Sequence, residues 1–183
     1  VKPMYIGYWS AMNHHGLTEQ LSRTVYIVTT ERTREREIHG VTYRPVTVTE
    51  QKFFGHQPTA VGSTQVNISS IEKTLVDCAD HPEFCGGIDE LAKAMQNAAE
   101  MRCSWERVVE YLQRVGNGAA TKRIVYLADQ LDLVLPEYDE IVAEFTTGYP
   151  LLDPTREARG TRDSTYQLRL NVSPESFQPE DFA

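Results

Sequence analysis

The chain has 183 residues, 40% of them apolar and 24% charged, and a formal net charge of −8. That length buries a core without disulfides, and the composition excludes a disordered or fibrous chain. No apolar run approaches the ~20 residues of a membrane-spanning helix, and Val1 to Gly16 lacks the basic start and apolar centre of a secretory signal. Three cysteines, Cys78, Cys85 and Cys103, are an odd number that suits a reducing compartment, so a cytoplasmic, membrane-free protein is expected. The charge is unevenly spread: residues 1 to 60 hold seven Lys and Arg against five Asp and Glu, and the remainder eleven against twenty-one. An acidic surface repels phosphate backbones, so any nucleic-acid contact has to be local.

Pro3, then Met4, Tyr8 and Met12 at helical spacing, predict a helix over 4–15 that stops at Gly16. Thr24 to Thr30 is a β-branched and aromatic run that reads as a buried strand. After the polar stretch 31–37, the segment from Ile38 to Val48 resumes strand character across His39 and Gly40, which predicts a hairpin. Thr59 to Ile68 holds one or two further strands around Gly62 and Ser63. Ser69 and Glu72 have the spacing of a capping box, so a helix is expected to begin there and to end before His81 and Pro82. Three more helices follow: Ile88 to Ala99, Trp105 to Val115 behind a Ser104 cap, and Gly118 to Leu131.

The chain is irregular from Leu135, and 155–164 reads as a polar loop. Tyr166 to Val172 then alternates as a half-buried strand, which we expect to rejoin the N-terminal strands. The class is therefore α+β, a mixed sheet of N-terminal strands plus one C-terminal strand packed against a helical half of about four helices. A single domain over 1–172 and a flexible tail over 173–183 are expected.

Four constellations invite a chemical reading. Cys78, His81 and Cys85, with Cys103 as a fourth ligand, offer soft donors for zinc, yet Cys78 falls on the inner helix face and no second tight ligand pair exists, so no metal site is assigned. Glu50 and Lys52 at a strand end have the arrangement of a metal-dependent nuclease, but the best acidic partners, Glu35 and Glu37, sit in a charge-alternating segment. His14 and His15 are accompanied by no nucleophile motif, and one of them reads as a structural, hydrogen-bonded histidine. No phosphate-cradling glycine loop occurs, and Gly116, Asn117 and Gly118 read as a helix-capping turn. Catalytic residues and cofactors are accordingly not assigned. Candidate contacts to nucleic acid or a partner are Arg32, Arg34 and Arg36, which share one side of an extended segment, and Lys122 with Arg123 near a helix start.

Taken in order, Tyr8 to Thr18, Glu72 to Asp77, Gly116 to Gly118 leading into Lys122 and Arg123, Leu152 to Pro154 and the strand Tyr166 to Val172 resemble the C-terminal domain of AbiEi-family antitoxins. The resemblance implies a bacterial or archaeal type IV toxin–antitoxin system associated with abortive infection and phage defence. It implies a non-catalytic domain that counteracts a nucleotidyltransferase-like toxin without a stable complex. Promoter binding would belong to an N-terminal winged helix, which the sequence from Val1 onward does not contain, so operator binding by this segment alone is not expected. The alternatives are a nuclease built on Glu50 and Lys52, and a DNA-binding transcriptional regulator. Within the resemblance Lys73 and Asp77, at i and i+4, can pair along one helix face.

Overall fold

A computed structural model describes residues Pro3 to Phe177. Its larger sheet has six strands, β1 (Met4–Ile6), β2 (Thr24–Thr29), β3 (Arg36–Ile38), β4 (Val41–Thr47), β5 (His56–Val61) and β6 (Thr64–Ser69), in the order β3-β4-β2-β1-β6-β5. The outer pairs β3–β4 and β5–β6 are antiparallel hairpins, β2 runs parallel to β4, and β1 is antiparallel to β2 and parallel to β6. The sheet is therefore mixed, as expected. The hairpin over 38–48 forms, but its longer strand pairs in parallel with β2 across the sheet.

The first segment departs from its periodicity. Met4 to Ile6 is a central strand, and a short helix, α1 (Tyr8–His14), begins only after Gly7. Spacing alone cannot distinguish the two, because Met4 faces one side of the sheet while Tyr8 and Met12 enter the core. Two neighbouring strands satisfy the amides of β1, and that long-range pairing overrides the local helical pattern. A Cβ on Gly7 would lie 2.8 Å from the Val28 side chain, so the strand-to-helix corner needs the glycine.

Five further helices are present among the described residues: α2 (Ile71–Asp80), α3 (Ile88–Glu100), α4 (Trp105–Val115), α5 (Gly118–Gln130) and α6 (Tyr138–Ala143). The four helices read from the sequence are α2 to α5, and α6 is additional. Ser104 caps α4 by accepting the Arg107 amide at 3.2 Å, and Asn117 caps α5 by accepting that of Ala119 at 2.9 Å. Gly116 closes α4 in the left-handed conformation at φ 67°. At α2 the expected capping box shifts by one residue. Ser70 accepts the Lys73 amide, Ser69 hydrogen-bonds Thr74 instead, and Glu72 reaches the Ser104 amide rather than its own helix start.

All the core strands turn one face toward the helices. Tyr5, Tyr26, Val28 and Val46 pack there with Tyr8, Met12, Leu75 and Val76 in one apolar cluster. Helix α2 is the hub, packed against α1, α3, α4 and α5 and in contact with β6. Eight of its side chains, from Glu72 to Ala79, are buried.

The C-terminal strand does not rejoin the sheet. Instead β8 (Leu168–Leu170) pairs with β7 (Thr161–Asp163) in a separate two-stranded sheet, and the Tyr166 ring packs edge-on against Tyr126 of α5. The central positions are held by β1 and β2 between the two hairpins, and the late segment is instead drawn to the helical side, where Leu168 is buried in the apolar cluster. The expected tail is ordered over Pro174–Phe177, where Phe177 is buried and Ser176 donates to Asp89, and its remainder, 178–183, lies outside the described residues.

Two substitutions separate packing from capping. Leu75→Ala, at a fully buried position on the hub helix, is expected to lower unfolding free energy by about 2–5 kcal/mol, whereas Ser104→Ala, which removes one cap, lowers it by about 1 kcal/mol. Urea denaturation followed by circular dichroism measures both.

Candidate functional site

The residues of the family-like segments converge on α2 and its neighbours. Lys73, 0% exposed, donates to Asp77 Oδ1 and, at 3.2 Å, to the Tyr5 hydroxyl, which itself donates to Asp77 Oδ2 at 3.0 Å. The Phe54 ring lies 4.8 Å from the Lys73 ammonium, a cation–π contact. Burial pushes the Asp77 carboxyl up, while the ammonium and the tyrosine hydroxyl pull it back. The triad is a closed hydrogen-bonded pair with one phenol, and it leaves no free proton acceptor facing solvent. Gly55, at φ 71°, passes so close that a Cβ there would lie 2.9 Å from Lys73.

At the end of α2, Asp80 receives Lys52 Nζ at 2.5 Å and the Asn117 amide, and His81 lies 3.6 Å away with its other nitrogen on Glu83 at 2.9 Å. The residues of the nuclease reading lie beside this cluster. Glu50 and Lys52 lie on a 3-10 turn, Glu50 is exposed, and the lysine is drawn to Asp80 instead of standing beside a carboxylate pair. Of the soft donors, Cys78 and Cys85 are buried in contact with each other, but the others do not join them. The Cys78 thiol lies 3.4 Å from the Met12 sulfur, the Cys85 thiol faces the Pro82 carbonyl, and His81 turns to Glu83. Among the described residues no group of three or more His, Cys, Asp or Glu is placed to hold a metal ion.

Lys122 and Arg123 are internal, which removes them as surface contacts. Lys122, 0% exposed, donates to the carbonyls of Thr146 at 2.5 Å and Gly148 at 2.9 Å. Arg123 donates to Ala79, Leu151 and Leu152 carbonyls, joining α2, α5 and the chain before β7. Their cationic heads replace water for carbonyls that leave regular structure, a role that helix periodicity cannot disclose. Arg32, Arg34 and Arg36 are exposed, and within the described residues none of the three makes a side-chain hydrogen bond or ion pair. Between them Glu35 turns to the opposite side and pairs with Arg44 at 2.6 Å.

One structural residue was legible only as part of a motif. Asp153 accepts the Ile88 amide at 3.2 Å and so caps α3, whose own preceding residue, Gly87, has no side chain to do it. Asn171 holds that aspartate by its backbone from both sides. Of the histidine pair, His15 donates to the Ser69 carbonyl at 2.6 Å and is half-buried, whereas His14 is exposed.

The sequence model of the AbiEi antitoxin C-terminal domain matches residues 5–130. The chain belongs to that antitoxin family, and with it to the proteins of toxin–antitoxin systems. Among solved structures it is similar to the RV2827C protein from Mycobacterium tuberculosis, with a TM-score of 0.64 and 18% identity, over 90% of this chain and 61% of that one. At that identity the likeness concerns the fold, and this chain spans less than two thirds of its relative. No curated protein matches at a significant level. Among the described residues no helix is long and apolar enough to cross a membrane.

Arg123→Met is expected to destabilise the domain by about 3 kcal/mol or more, because several buried carbonyls lose a charged donor, and chemical denaturation checks it. The histidines set a pH dependence. Burial lowers the pKa of both His15 and His56 below the ordinary 6.5, with Lys73 adding to the effect at His56. The unfolded chain then binds more protons just below that value, so stability is present at neutral pH and falls as pH drops from about 7 to about 5. His56→Gln is expected to flatten that decline, read from melting temperatures across the range.

Proposed function

We propose that this domain is the antitoxin half of a type IV toxin–antitoxin pair, counteracting a nucleotidyltransferase-like toxin without performing catalysis. The observation that carries the reading is that the family-like segments are occupied internally. Lys73 and Asp77 bind Tyr5, Asn117 binds Asp80, Lys122 and Arg123 bind carbonyls, and Asp153 caps α3. Side chains with every polar atom engaged build a rigid body and are not poised to activate a substrate, since a general base or nucleophile has to present a free lone pair to a reacting atom. The working part of such a protein is its surface.

In this reading DNA contact belongs mainly to a winged-helix domain and not to the residues of this one. Arg32, Arg34 and Arg36 are the exposed cations through which this domain itself meets a partner or a phosphate backbone. The domain operates in the cytoplasm, where toxin and antitoxin are made together.

Co-expression tests the proposal. The reading expects a nucleotidyltransferase gene beside this one; inducing its product is expected to arrest growth, and producing residues 1–183 in the same cells is expected to restore it. Persistent arrest with abundant, folded domain would sink the antitoxin reading, and Glu50→Ala is expected to rescue as well as the unaltered chain.

A further inference from the structure

The face of the six-stranded sheet turned away from the helices is uncovered among the described residues. Strand register places Met4 and Ile6 of β1, Val25 and Ile27 of β2, Tyr43 of β4 and Val66 of β6 on it, around a hollow of about 540 Å³. A second hollow of about 350 Å³ adjoins it at the β3 edge, walled by Arg34, Arg36, Ile38 and Pro45. The two share Met4, Ile27 and Tyr43, so they form one groove crossing the strands. At its edges Met4 is 39% and Ile38 49% exposed, while Ile6, Val25, Ile27, Tyr43 and Val66 between them are half-buried. A partly exposed apolar strip that runs across several strands offers a partner area to bury, which singly scattered apolar residues do not.

Charge defines what fits. Neither hollow is lined by an acidic residue. Arg34 and Arg36 stand at one end without an ion pair among the described residues, because the alternation of the extended chain sends Glu35 to Arg44 on the far side. This is a cationic rim on a chain of net charge −8. A second copy in a symmetric contact would bring the same carboxylate-free face, and so no counter-charge for the arginines. Single-stranded nucleic acid would complement the arginines but not the floor, which is aliphatic apart from Tyr43, where base stacking needs a row of aromatic rings.

We propose that this outer sheet face docks a segment of a partner protein that lays an apolar stripe over Met4, Ile27 and Tyr43 and sets carboxylates against Arg34 and Arg36. Where that partner is the toxin, the contact rests on the antitoxin reading above and is a transient one, since that reading requires no stable complex; the chemistry of the groove does not depend on it.

Two arms test it separately. In the first, the probe is a synthetic amphipathic peptide with a leucine stripe flanked at one end by glutamates, compared with its twin carrying lysines, and with a mixed-sequence single-stranded oligonucleotide. Titration into isotopically labelled domain is expected to shift amides of β1 to β4, with the glutamate peptide binding at least about tenfold more tightly than its twin. The triple variant Arg34→Glu, Arg36→Glu, Ile38→Glu, whose exposed positions leave the core intact, is expected to reverse that preference while keeping the parent melting temperature. Equal binding of the two peptides, shifts confined to the helical side, tighter binding of the oligonucleotide on this face, or a dimer that the triple variant dissociates would each overturn the proposal.

The second arm is growth rescue against the neighbouring nucleotidyltransferase. The triple variant is expected to lose rescue, and Lys93→Glu, on the exposed side of α3, to retain it. Rescue by the triple variant refutes this surface as the antitoxin face. Failure of the unaltered chain to rescue refutes the antitoxin reading instead, and leaves the peptide titration to decide the groove on its own.

Discussion

Lys73 has no contact with water, and the architecture around it follows from that constraint. An ammonium with no solvent exposure needs a carboxylate, further hydrogen-bond partners and an enclosing wall, because desolvating a lone charge costs far more than a domain's whole stability. Asp77 one turn along α2 supplies the charge, Tyr5 of the central strand bridges the two, and Phe54 closes over the ammonium. The consequence is geometric: β1 has to run directly beneath α2, and the chain at Gly55 has to come close enough that no side chain fits there. Helix and sheet are thereby locked in one orientation.

A hub helix surrounded by other elements normally has to be apolar all round. Here α2 carries Glu72, Lys73, Thr74 and Asp77 into the interior, and they find partners on three neighbours: Glu72 at the start of α4, Lys73 and Asp77 on Tyr5 of the central strand, and Thr74 on the strand end before the helix. The same device recurs where the C-terminal segment meets the body. Arg123 gathers carbonyls from two segments, and Asp153 caps a helix from sixty-five residues away in sequence. Polar long-range ties of this sort give little net stability compared with apolar packing, but they specify which surfaces meet.

With the interior polar groups engaged by one another, the two faces of the sheet differ in kind. One carries Tyr5, Tyr26, Val28 and Val46 into the core, and the other leaves Met4, Ile27 and Tyr43 beside exposed arginines. For a member of an antitoxin family this division assigns stability to one side and recognition to the other.

Much of this was legible in the residues. Helices α2 to α5 have strong periodicity, and α2, α4 and α5 have local caps, Ser104, Asn117 and Gly116 among them; local hydrogen bonds form wherever the chain goes. Strands on either side of Gly62 and Ser63 and the order of the family segments were likewise readable, and so was the antitoxin family. What failed depended on distant partners. Met4 to Ile6 becomes a strand because β2 and β6 receive it, Tyr166 to Val172 stays outside the large sheet because Tyr166 and Leu168 pack on the helical side, and Lys122 and Arg123 turn inward because carbonyls of 146–152 need donors. A sequence records each side chain's chemistry and its near neighbours, and so it determined the class, the helices and the family. Which charges face water and which face carbonyls depends on chain segments tens of residues away, and only the tertiary structure decided that.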